Sequence, residues 1–324
     1  GVIIGLGVLI VLAGIFPLWS TLRQITIGKW SGRFAIPAMW GVGLIITALI
    51  FVAIQNAAVR KALFIILVGL SIGYQVRVGN DYRKDFLRQE RFYTELKWRI
   101  PSLQPGTAFY SPTIPAGKEA DYSFSVGINL MYSGDTVGSG TQYWMTGPRY
   151  YNVNDLIVNP SLSIASDLRT FHFASTAANM VSIYMPPTGC LWVLDPYSVL
   201  MPTTITDFSA YGRLSNQELI SNTDPEVNGL SRIFHFNQEN NWCYYFEKGD
   251  LAQSIGQWDR SISLYEQATA KHLLPLEGIE YFPFIRAYAA SGRVEEAVEL
   301  TGKAYGKSYT TKPMLCQFWQ DTLA

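Results

Sequence analysis

The feature that most constrains this chain lies in its first 78 residues: three runs rich in Ile, Leu, Val, Ala and Gly, at 1–20, 35–54 and 62–76, joined by short basic connections. A helix rises 1.5 Å per residue, so about 20 apolar residues reach across a hydrocarbon core of about 30 Å. The first two runs have that length. The third attains it with its stem through Val78 and with Arg60 and Lys61 snorkelling to the interface. Residues 1–78 are therefore read as three transmembrane helices rather than as buried core helices. No cleavage-site pattern follows the first run, which argues against a signal peptide. The chain opens on a glycine inside an apolar run, so it is expected to be a fragment with further spans upstream.

After the spans, GNDYRKDFLRQERFYTELKWRIP predicts an amphipathic juxtamembrane helix over 79–100. Tyr82, Phe86, Tyr93, Leu96 and Ile100 share one face. Arg83, Lys84, Arg88 and Arg91 crowd the rest, where they suit lipid headgroups or pairing with Asp85, Glu90 and Glu95. Residues 101–238 carry short β-rich stretches and Pro/Gly punctuation, and predict a small mixed α/β soluble domain. Strands are expected at 106–111 and in FHFAS, MVSIYM and CLWVLD within 171–195, with a helix over 120–133 on which Tyr122, Val126 and Leu130 recur at helical spacing.

Several chemistries find no support. The loop SGDTVGSGT, 133–141, lacks the Lys-Ser/Thr of a phosphate loop and the spacing of a dinucleotide fingerprint. His172 and His235 sit in the echoing stretches RTFHF and RIFHF, without acids or cysteines at ligand spacing, and are read as surface strand residues rather than a metal or acid–base pair. Cys190, Cys243 and Cys316 are far apart and odd in number; they are read as small buried side chains, with neither a metal site nor a disulfide framework. A net charge of zero removes the electrostatic case for nucleic acid. No catalytic residue and no metal ligand is assigned.

Residues 239–324 describe helices turning at Gly256 and Gly292, about 36 residues apart. Gly249, Trp258, Tyr265 and Ala268 fall around the first turn, and Tyr288, Ala297 and Ala304 around the second. This pattern resembles the tetratricopeptide repeat over residues 242–306, departing from it at Ser261 and Thr301. The resemblance implies a pair of helical hairpins that docks a protein or peptide, or that packs against the α/β domain.

The stretch WSGRFAIPAMWGVG places Arg33 at the mouth of the second span. Two readings stand. Arg33 is an interfacial anchor among Trp30, Trp40 and Pro37, or its guanidinium binds the phosphate of a lipid carrier. The Arg33-Phe34 pair shortly before Pro37 resembles a pattern in polytopic C-type glycosyltransferases, the superfamily of oligosaccharyltransferase catalytic subunits and protein mannosyltransferases. That resemblance implies a polyprenyl-phosphate-linked sugar as donor, Arg33 on its phosphate, catalytic carboxylates upstream of Gly1, and a soluble domain on the outer side. Asp81 and Asp85 are read as ordinary helix solubility. Charge points the other way: Arg23, Lys29, Arg33 and the basic juxtamembrane residues share one side with the soluble domains, against only Arg60 and Lys61 on the other, so the positive-inside rule makes the soluble side cytoplasmic.

The expected architecture is a multi-span α-helical membrane region, 1–78, then the 79–100 helix, the small mixed α/β domain and the tetratricopeptide-like hairpin pair. The expected protein is a multi-pass plasma-membrane glycosyltransferase fragment with its soluble domains outside. The alternative is a non-catalytic membrane-anchored scaffold that binds a protein through its helical repeats.

Overall fold

The computed structural model describes residues 1–22, 30–115, 121–133, 140–168, 171–196, 208–223 and 240–323. Contacts divide the chain into two compact units, Gly1–Phe86 and Leu87–Ala324.

The first unit begins with α1 (Val2–Ser20) and, after a 3-10 turn at Trp30–Ala35, α2 (Ile36–Ala53). The two run antiparallel and very close. A Cβ at Gly14 would lie 2.6 Å from the Ala38 nitrogen, and one at Gly41 would lie 2.7 Å from the Val11 nitrogen. Glycine is what allows the two backbones this approach, as it does where lipid supplies no hydrophobic drive between helices. Pro37, in the first turn of α2, has no N–H to lose there. Asn56 caps the third helix, accepting from the Ala58 and Val59 amides at 2.9 and 3.3 Å, and Arg60 lies over the Phe51 ring.

That third helix, α3 (Ala57–Arg99), is one uninterrupted run of 43 residues. The expected third span and juxtamembrane helix are therefore a single element: Gly73 and Gly79 weaken a helix but do not break it, and no proline intervenes before Pro101. All three helices are long and apolar enough to cross a membrane, and they hold their Leu, Ile, Val and Phe side chains largely exposed.

The second unit is layered about a short sheet in the order β3-β2-β6-β7. A small antiparallel pair, β1 (Ser102–Leu103) with β8 (Ile220–Ser221), stands apart from it. Strand β2 (Ala108–Tyr110) is central, parallel to both β3 (Trp144–Thr146) and β6 (Met180–Tyr184); β7 (Trp192–Val193) returns antiparallel to β6. The helix α4 (Asp121–Tyr132) lies between β2 and β3 in sequence, as a parallel pair requires.

Strand alternation sorts the sheet residues into two cores. Ala108, Tyr110, Trp144, Met180 and Trp192 belong to one, and Phe109, Met145, Val181, Ile183 and Val193 to the other. The second core is filled by Phe92 and Leu96 of α3, Ile100 just past its end, and Phe124, Ile128 and Met131 of α4. So α4 forms where expected, and the stripe it buries most deeply is Phe124, Ile128 and Met131 rather than Tyr122, Val126 and Leu130. Both stripes have helical spacing, and the one bearing Phe124 meets the Phe92 ring at 5.2 Å. Four strands were not expected from the sequence: the short pair β1 and β8, β3, and β4 (Ser163–Leu168), which forms a hairpin with β5 (Phe171–Thr176).

The first core takes in the short helices α5 (Val153–Val158) and α6 (Phe208–Leu214), and then the C-terminal helices. These are α7 (Trp242–Ser254), α8 (Trp258–Ala270), α9 (Phe282–Ala290), α10 (Val294–Lys307) and α11 (Lys312–Leu323). Gly256 and Gly292 make the α7–α8 and α9–α10 turns at φ 74° and 76°, a left-handed backbone that glycine adopts without strain. Tyr265, Ala268, Tyr288, Ala297 and Ala304 are all buried, and one apolar core runs unbroken from the sheet into these helices.

Candidate functional site

Arg33 stands in the 3-10 turn that leads into α2, exposed, with its guanidinium 5.3 Å from the centre of the Phe34 ring. The turn gives way to α2 where Pro37, in the first helical turn, fixes the backbone for a helix start. A planar cation held at the entry of an apolar helix, and open to solvent, suits an anionic oxygen at a bilayer surface. Asp85 is buried rather than a solubilising surface residue, and Asp81 is half-buried.

Within the second unit, a cleft of about 430 Å³ lies between α3 and the first turn of α7, lined by Glu90, Arg91, Glu95 and Trp98 on one side and by Asn241 and Cys243 on the other. Asn241 caps α7, accepting from the Tyr244 amide at 3.1 Å. Behind the cleft, Cys243 is joined to Cys190 by a disulfide, with 5.3 Å between their α-carbons across 53 residues of sequence. This corrects the reading of these cysteines as unpaired. Sequence distance was no obstacle, because the sheet brings Cys190, two residues before β7, against the start of α7.

Two buried carboxylates hold the backbone on either side of that disulfide. Glu280 accepts from the amides of Cys190 at 2.9 Å, Leu276 at 2.7 Å and Glu277 at 3.3 Å. Glu95 accepts from Arg91 Nε at 2.7 Å and from the Leu191 amide at 2.7 Å. Burial pushes both carboxyls above the usual range; Arg91 and the Leu191 amide oppose this at Glu95, and the three backbone amides oppose it at Glu280. At the end of α3, Arg99 donates to Asp250 through Nε and to Gln217 through Nη2.

Neither histidine joins this constellation. His172 is exposed on the β4–β5 hairpin, its Nδ1 2.8 Å from the Asp167 carboxylate directly opposite on β4. His235 lies outside the described residues, as does most of the loop at 133–141. Among the described residues no group of three His, Cys, Asp or Glu side chains is arranged to hold a metal.

Of the buried acids Glu95, Glu247, Asp250 and Glu280, only Glu95 was named from sequence, and that as a partner for the basic face of the juxtamembrane helix. A signal existed: each lies among buried apolar neighbours, as Glu95 does in FYTELKW and Glu247 in WCYYFEKGD. Compared with known families, curated proteins and solved structures, the chain matches none.

Proposed function

We propose that this chain is the C-terminal part of a polytopic membrane glycosyltransferase using a polyprenyl-phosphate-linked sugar. Its three apolar helices cross the bilayer, Arg33 binds the lipid phosphate, and the second unit stands on the extracytoplasmic side beside catalytic acids supplied from upstream. The observation that carries this reading is the Cys190–Cys243 disulfide. Disulfides persist in oxidising compartments and are rare where thiol reductants dominate. An outer location is what the glycosyltransferase resemblance implies, and it opposes the basic-residue count. That count is the weaker guide, since spans outside this stretch also set orientation. The exposed guanidinium at the entry of α2 supports the phosphate role.

The test is Arg33→Ala in the full-length protein, assayed for sugar transfer in native membranes. Losing a charge-assisted phosphate contact is expected to lower transfer at least tenfold, at unchanged expression. Unchanged transfer returns Arg33 to an anchor.

The scaffold reading is favoured by a separate observation, an apolar groove on α10 and α11 lined by Tyr305, Leu315 and Trp319 with the exposed Cys316 at its edge. Cys316-directed crosslinking in native membranes tests it. A single discrete crosslinked protein supports the scaffold; self-crosslinks or none speak against it.

A further inference from the structure

Glu247 lies on α7, one helical turn after Cys243, and is wholly buried. Among the described residues neither of its carboxyl oxygens meets a hydrogen-bond donor, and the Nη1 of the equally buried Arg99 meets no acceptor. The charged groups acting on Glu247 come from three elements. From α3 there are Glu95 and Arg99, from α7 itself Asp250, and from the 3-10 turn Gly278–Tyr281 there is Glu280. An ionised Glu247 would thus add a negative charge, without donors, to three carboxylates that already have theirs: Glu95 pairs with Arg91, Glu280 takes three backbone amides, and the enclosed Arg99 guanidinium is engaged by Asp250 and Gln217. Leaving a charge in that state costs several kcal/mol, whereas a neutral carboxyl there costs far less.

We propose that Glu247 carries a proton in the native protein, and that its loss to solvent sets Glu247 and Asp250 in competition for Arg99, loosening the clamp that holds the end of α3 to α7. The unit therefore contains a proton-operated latch. Burial and the surrounding carboxylates both push the Glu247 carboxyl well above the ordinary range, with Arg99 opposing. The sign follows. The folded state binds a proton that the unfolded chain releases above about pH 4.5, so stability is greatest in acid and is lost as pH rises toward the folded-state value.

The test is thermal unfolding of the full chain in detergent micelles between about pH 5 and about pH 9, comparing wild type with Glu247→Gln, which keeps the shape and stays neutral. Wild type is expected to lose roughly 3 °C for each pH unit from this group. Glu247→Gln is expected to lose at least half of the alkaline slope while matching wild type at acid pH. Equal slopes overturn the proposal. Should Glu247→Gln not fold, infrared spectroscopy of the wild type decides instead: a protonated-carboxyl C=O band persisting at neutral pH is expected, and its absence there overturns the latch.

Discussion

Asn129 shows how much one side chain can organise in this fold. Its amide donates to the carbonyls of Ser125 and Tyr143, both at 2.7 Å, and its oxygen accepts from the Gln142 and Tyr143 amides at 2.9 and 3.1 Å. It thereby ties α4 to the edge strand β3, whose Met145 amide is taken up by the Ser125 hydroxyl. Asn129→Ala would leave buried backbone groups without partners and is expected to destabilise the second unit by about 3 kcal/mol. A chemical-denaturation midpoint that does not move would contradict this assignment. Such residues are hard to read from sequence, because an asparagine in a helix pattern looks like a solvated position. The buried acids mislead in the same way: Glu95 and Glu280 look like surface charges until the amides of Leu191 and Cys190 are seen to meet them. The cysteines were opaque for a different reason, since pairing depends on which segments the sheet makes adjacent.

At the scale of elements, the periodic signals served well and their limits are specific. The apolar runs at 1–20 and 35–54 appear as α1 and α2, and the glycines at 256 and 292 appear as left-handed turns. Periodicity could not choose between the two stripes of α4, nor find β3, whose three residues are too few to show alternation. It also divided α3, because the fall in hydropathy after Val78 looked like an element boundary although the backbone had no reason to stop. Gly249 is the strictest element-level test. Its missing side chain is the space occupied by the Phe284 ring of α9, so Gly249→Ala forces the α7–α9 contact apart. Overpacking of this kind costs about 1–3 kcal/mol, against a gain of up to about 1 kcal/mol in helix propensity. Net destabilisation on thermal unfolding is expected, and a stabilised variant would contradict the observed packing.

At the scale of the molecule, the sheet, α3 and the C-terminal helices of the second unit share continuous cores, and one covalent bond crosses from the sheet to α7. The C-terminal helices are therefore not expected to behave as an independent hairpin array. Cys243→Ser removes a link closing 53 residues, and is expected to cost about 2–4 kcal/mol. The reducing agent that destabilises wild type should then leave this variant unaffected. The central claim, that this unit faces an oxidising space, rests on the same cysteines and can be checked on them directly. Cys316 is free and exposed, whereas Cys190 and Cys243 are paired. Intact cells expressing the full-length protein would be treated with a membrane-impermeant maleimide, and labels at Cys190, Cys243 and Cys316 located by peptide mass before and after denaturing reduction. The account predicts labelling of Cys316 alone on intact cells, with Cys190 and Cys243 becoming reactive only after denaturing reduction. No labelling until the cells are lysed, with all three thiols reactive on denaturation without reduction, would contradict it.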